Sequence, residues 1–205
     1  MYNKYILPRI LNYTCGQKPF TKQREKIVPL AQGKVLEVGI GSGLNMSYLN
    51  PNKVDSFTGI DPSEDLLAMA ESQVSDSISE INLIASTAEE MQFENNSFDS
   101  VLMTYTLCTV QNASVVLNQI KRVLKQDGQL IFCEHGLAPE FNIIAWQNRI
   151  NQFWPLISGG CNLNKDIPKL FEAEGFTVIS MDEMYLPKTP KVLGYNYWGT
   201  AKKEK

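Results

Sequence analysis

The chain has 205 residues, a formal net charge of −3 and one histidine, with 43% hydrophobic and 20% charged residues. That length suits one domain spanning residues 1–205, and that composition is ordinary for a soluble globular protein. No apolar run approaches the roughly 20 residues that cross a bilayer. Residues 1–11 lack the continuous apolar core and cleavage site of a secretory signal, so the cytoplasm is the expected compartment. The slight acidity argues against nucleic acid as a main partner.

Residues 1–33 read as an N-terminal helical cap. Up to Lys34 the basic residues are Lys4, Arg9, Lys18, Lys22, Arg24, Lys26 and Lys34, against Glu25 alone. Such a segment is a solvated face, or a surface for an anionic substrate or peripheral membrane contact. Residues 34–38 (KVLEV) form the first predicted strand, 56–60 (SFTGI) the second and 81–85 (INLIA) the third. Between the second and third, Pro62 and Ser63 open a helix with Glu64 and Asp65 in its first turn, and Leu66, Leu67, Ala70 and Val74 follow a 3.6-residue period. The fourth strand is 98–103 (FDSVLM). Val115, Val116, Ile120, Val123 and Leu124 then make an apolar helical stripe, ended by a turn at Asp127-Gly128, and 129–133 (QLIFC) is the fifth strand.

Residues 137–157 are rich in large apolar side chains, among them Phe141, Trp146, Phe153 and Trp154. They read as a core helix or as a lid. Residues 176–181 and 195–201 are the last two strands, with Pro187 and Pro190 but no evident helix between them, so they should run antiparallel. Strands alternating with helical patterns predict an α/β fold: a Rossmann-like, doubly wound, mostly parallel seven-stranded sheet with an antiparallel last strand. The four cysteines, at 15, 108, 133 and 161, include no Cys-x-x-Cys pair. With a single histidine this argues against a zinc site, so no metal is expected, and Cys108 and Cys133 read as buried reduced thiols.

The strongest local signal is Val35-Leu-Glu-Val-Gly-Ile-Gly-Ser-Gly43, a strand running into glycines 39, 41 and 43. Glycine lets the backbone approach a ligand closely, and in an open α/β sheet ligands lie beyond the carboxyl ends of the strands. The plainer reading is a strand-to-helix turn. Asp61 follows the second strand, where an acid can accept ribose hydroxyls or cap a helix. A dinucleotide fingerprint would need a third glycine at Leu44, so an NAD-dependent oxidoreductase loses support.

With Glu37 two residues before Gly39, this string resembles the first motif of the class I methyltransferases that depend on S-adenosylmethionine (SAM). The resemblance implies a SAM cofactor held by Glu37, Gly39, Ile40, Gly41, Gly43, Asp61 and Pro62. Residues 88–93 (AEEMQF) and 97–101 (SFDSV) are similar to a later stretch of that family, which implies Thr87 and Ala88 beside the adenine; Thr104 completes the expected cofactor set. Residues 123–130 match a turn of the same family. The strings Leu107-Cys108-Thr109-Val110, Cys133-Glu134-His135, Gly160-Cys161-Asn162-Leu163 and Gly194-Tyr195 resemble the branch that includes the membrane-associated thiol methyltransferases.

That resemblance implies methyl transfer to a small, largely apolar acceptor: a thiol, a quinone-like ring or a phospholipid amine. The alternative is a non-catalytic SAM-binding regulatory module. His135, at the carboxyl end of the fifth strand, is the candidate general base or a structural histidine. Tyr13, Tyr105, Trp146 and Trp154 are expected to line the acceptor pocket, with the segment around Tyr5, Leu7 and Ile10 closing its other side.

Overall fold

The computed structural model describes residues 7–74 and 77–204; Lys4 and Tyr5 lie outside them. Helices α1 (Leu7–Cys15) and α2 (Lys18–Ile27) precede β1 (Gly33–Val38), β2 (Val54–Asp61), α3 (Glu64–Glu71), β3 (Ile81–Ala85) and β4 (Phe98–Thr104). Then come α4 (Ala113–Val123), β5 (Leu124–His135), α5 (Phe141–Ile150), α6 (Trp154–Ile157), α7 (Ile167–Ala173), β6 (Phe176–Tyr185), α8 (Lys191–Gly194) and β7 (Tyr195–Lys203). The seven strands form one sheet in the order β3-β2-β1-β4-β5-β7-β6. β1 to β5 pair in parallel, and β7 runs antiparallel to both β5 and β6.

The central strands β1, β2, β4 and β5 are buried over most of their length because both faces of the sheet are covered there. Strand residues alternate between two cores, as their period of two requires. Leu36, Val38, Val101, Met103, Leu130 and Phe132 pack with Val116, Leu117 and Ile120 of α4 and Phe171 of α7. Val35, Phe57, Leu102, Ile131 and Cys133 face the other way, against Ile27 of α2 and Leu67 and Ala70 of α3. α3 and α4 begin where short polar side chains satisfy free amides: Ser63 Oγ accepts from Leu66 N, and Asn112 Oδ1 from Val115 N.

Several expectations need correction. Asp61 is the last residue of β2 rather than the residue after it. No α-helix joins β1 to β2, only a 3-10 turn at Met46–Tyr48. Six residues between Gly43 and the Asn50-Pro51 break leave no room for more. β3 and β4 are joined by a loop, whose carbonyls at Met91 and Phe93 are held by the Arg122 guanidinium of α4 instead of by helix hydrogen bonds. The Asp127-Gly128 turn lies inside β5, where the ladder with β4 jumps from Phe98–Leu124 to Ser100–Gln129. A single helical turn, α8, occupies the gap between β6 and β7 that had read as helix-free.

Candidate active site

The strand order reverses between β1 and β4, which is where an open α/β sheet leaves a crevice beyond its carboxyl ends. A cleft of about 730 Å³ opens there. Glu37, Gly39, Ile40, Gly41, Asp61, Pro62, Thr87, Ala88, Thr104 and Tyr105 all line it. Gly43 does not. Its φ is +80°, and a Cβ there would sit 3.1 Å from the Ala70 Cα, so its place is in packing the glycine loop onto α3. Space is open around Gly41, with nothing within 4 Å of where a side chain would begin. Asp61 holds this loop from below: its Oδ2 accepts from Gly41 N at 3.0 Å and its Oδ1 from Ser63 N at 2.9 Å. Each oxygen keeps a second lone pair for a ligand. Helix capping falls to Ser63.

Four polar atoms of the cleft wall are buried without a hydrogen-bond partner among the described residues: Glu37 Oε2, Arg24 Nε, Asn45 Oδ1 and Thr87 Oγ1. Orphans of this kind are rare in folded proteins, and four in one cleft mark a place shaped for a polar ligand. Asn45 Nδ2 bridges Glu37 Oε1 at 2.7 Å and Thr104 Oγ1 at 2.9 Å, locking the ends of β1 and β4 together. Burial pushes the Glu37 carboxyl up to about 8, against the pull of Asn45 and Arg24. Burial likewise raises Asp61, partly offset by its two backbone N–H donors.

The acceptor side differs from expectation. α1 lies over the glycine loop, with Ser42 Oγ donating to Asn12 Oδ1 at 2.6 Å. Leu7, Pro8 and Leu11 face the cleft. Tyr13 is 72% exposed, because a helical period turns it to the opposite face of α1. No residue of 137–157 lines the cleft. α5 is pinned away from it by Gln147, which bonds Ala138 N, Gly136 O and Val192 O. Trp146 is thus left 54% exposed beneath Arg149. Trp154 packs toward Cys161. Tyr105 lines the cleft at a φ of 57°, but its hydroxyl is occupied by Cys133 and Asn196 beneath it.

His135 also requires correction. It does not line the cleft, and its Nε2 meets Cys161 Sγ at 2.8 Å. Burial lowers the imidazole pKa, but the Cys161 sulfur outweighs this and raises it, which opposes a neutral general base. The Cys108 thiol and then His135 favour the thiolate of Cys161, while Cys108 itself is raised. Glu134, on the other face of β5, accepts from Thr106 N at 2.8 Å and anchors the turn after β4.

The family described as a methyltransferase domain matches residues 36–132, the span from β1 to β5 that carries most of the cleft. Thiol S-methyltransferase TMT1B of Homo sapiens is 30% identical over 212 residues, covering 94% of this chain and 84% of that protein. The chain belongs to the SAM-dependent methyltransferases. Phosphatidylethanolamine N-methyltransferase of Cereibacter sphaeroides is 32% identical over 125 residues, covering 59% of this chain and 60% of that protein. The fold of this methyltransferase is also that of a solved SAM-dependent methyltransferase from Mesorhizobium loti, at a TM-score of 0.69 and 14% identity over 92% of this chain and 99% of that one.

Sequence reasoning missed three residues of the methyltransferase's cleft: Arg24, Asn45 and Asn12. Arg24 had been counted with a basic segment, yet it is 3% exposed, donates to Cys15 O at 2.7 Å and lies 5.4 Å from the Tyr105 ring centre. The charge imbalance of the N-terminal segment was its signal. Asn45 and Asn12 carried none, since they act through partners 59 and 30 residues away.

Proposed function

We propose that SAM binds across the cleft with its methionine head between Glu37 and Arg24, its ribose on Asp61 and its adenine beside Thr87 and Ala88. The fit is electrostatic. The methionine head is a zwitterion, and the cleft wall offers one buried carboxyl group, which gives up its proton when an ammonium group arrives, and one buried guanidinium, each with an unpartnered atom. A charge-assisted hydrogen bond to each would answer a desolvation penalty already incurred in folding. Gly39, Ile40, Gly41, Pro62 and Thr104 supply the surrounding wall.

The acceptor in this reading is a small molecule with an apolar body, a thiol before an amine or a quinone-like ring. One observation carries it: the apolar face of α1, Leu7, Pro8 and Leu11, closes over the glycine loop. SAM brings an activated methyl on a sulfonium, so the protein has to align the acceptor sulfur in line with it and exclude water. Arg24 adds a positive field that favours a thiolate over a thiol. The similarity to a thiol methyltransferase supports the same choice. The test is mass spectrometry of product formed from SAM with alkyl and aryl thiols, a quinol and phosphatidylethanolamine vesicles. The expected result is a gain of one methyl on a thiol. Methylation of the lipid or the quinol alone overturns the thiol reading.

A further inference from the structure

We propose that Cys108, His135 and Cys161 form a binding site for a thiophilic divalent cation, with zinc as the ion of choice. Their three ligand atoms lie within 4.8 Å of one another. They come from three separate segments: the turn after β4, the end of β5 and the loop after α6. Sequence spacing argued against a zinc site because it registers ligands only when they are close along the chain. Here the folded sheet supplies the proximity instead.

Two thiolates and an imidazole are a ligand set that zinc takes readily. Tetrahedral zinc, with Zn–S near 2.3 Å and Zn–N near 2.0 Å, holds its ligand atoms about 3.5–3.8 Å apart. The cluster reaches that geometry through small movements. The 2.8 Å approach of His135 Nε2 to Cys161 Sγ opens by about 0.7 Å to reach the same spacing, and the other separations, all within 4.8 Å, close by at most about 1 Å.

The supporting structure is built independently of the ligand atoms. Cys108 O accepts from Asn162 N at 2.8 Å and from Asn162 Nδ2 at 3.1 Å, which ties the two cysteine segments together through their backbones. Lys165 Nζ donates to Leu107 O at 2.7 Å and Val110 O at 2.9 Å. Glu134 fixes Thr106 N from the other face of β5. This outer shell sets the ligand-bearing backbones before any ion arrives. Lys165 is a cation whose charge reaches Cys108 and His135. In formal charge, two thiolates and Glu134 balance Lys165 and a divalent ion.

Three protein ligands leave the fourth tetrahedral position for water or a small thiol. The ion would lie directly behind the cleft wall, because Thr109 and Gly159, which line the cleft, adjoin Cys108 and Gly160-Cys161. Its presence would clamp the turn after β4 to the loop after α6 and hold that wall in shape.

The test uses the full chain, reduced, stripped with a chelator and titrated anaerobically with zinc and with cobalt(II). About one ion per chain should bind, and the cobalt form should show thiolate-to-cobalt absorption in the near ultraviolet with visible bands of tetrahedral strength. Cys161→Ser and Cys108→Ser should each weaken zinc by at least about 100-fold, beyond what loss of a supporting partner brings. Cys133→Ser should retain the ion. Cys161 lies on a partly buried loop, so its variant keeps the test open if Cys108→Ser fails to fold by circular dichroism. Absence of stoichiometric binding, or a cobalt spectrum unchanged in Cys161→Ser, overturns the proposal. So does a Cys108–Cys161 disulfide that forms, on addition of a diazene thiol oxidant that takes up the two electrons and two protons, equally fast with and without zinc.

Discussion

Glu37 has a folded pKa of about 8 against an ordinary 4.5, chiefly because it is buried. Between those values the folded protein keeps a proton that the unfolded chain has released. The Glu37 contribution to stability is therefore fully present below pH 4.5 and is lost as pH rises through 8. Glu134, pushed by burial to about 7, has the same sign over a narrower window. Glu37→Gln removes the first contribution alone. Thermal unfolding of the ligand-free protein between pH 5 and pH 8 should show a smaller loss of stability in Glu37→Gln than in the parent chain. Equal slopes would mean that Glu37 is already ionised at pH 5, with Arg24 close enough to neutralise it. A carboxyl that costs stability in the empty protein is what a site for a ligand ammonium group requires, since the ligand relieves the penalty.

At the scale of elements, the legible parts were those written in local periodicity. All seven strands and the α3 and α4 stripes follow from local patterns and turn residues: the central strands are buried on both faces and read as apolar runs, while the largely exposed edge strands β3 and β6 read from their short β-branched segments. The joins were less legible. The loop between β3 and β4 is held by Arg122, a side chain nearly thirty residues downstream, and no local pattern records that. The last hairpin holds a sharper test. At Gly199 of β7 a Cβ would lie 1.9 Å from the Ser180 carbonyl oxygen of β6, beside the register shift between Val178 and Ser180. Backbone cannot yield there as a side chain can. Gly199→Ala should lose about 1–3 kcal/mol by overpacking, seen as a lower denaturation midpoint in urea. Faster amide exchange should be confined to β6, β7 and the β7-facing amides of β5, because β1, β2 and β4 keep their own ladders. Unchanged stability would mean that β6 and β7 pair in another register.

Across the whole molecule, the strand-end wall of the cleft was readable and its cover was not, for one physical reason. Glu37, the glycine loop and Asp61 sit at strand ends whose positions the fold dictates. The cover comes from a segment outside the parallel strands, and here that is α1 rather than residues 137–157. α1 has nine residues, too few to be stable alone in water. It is held by the Asn12–Ser42 hydrogen bond, by Arg24 on the Cys15 carbonyl, and by Leu7 and Leu11 against Gly159. Its opening should therefore be coupled to the ligand beneath it. If SAM leaves only when α1 opens, linkage adds RT ln(1 + [SAM]/Kd) to the opening free energy. That is about 2.7 kcal/mol, or roughly 100-fold slower exchange, at a concentration of 100 Kd. Hydrogen exchange followed by mass spectrometry should show this slowing over residues 7–15, scaling with SAM concentration, while the central strands β4 and β5 exchange as before. Asn12→Ala should raise exchange in α1 without SAM and still show the SAM-dependent increment, because it loosens the cover without touching the cofactor's own contacts. Protection of the glycine loop with none in α1 would mean that SAM enters and leaves beneath a closed α1. The cover would then gate only the acceptor, and Leu11→Ser would raise the acceptor KM while leaving SAM affinity unchanged.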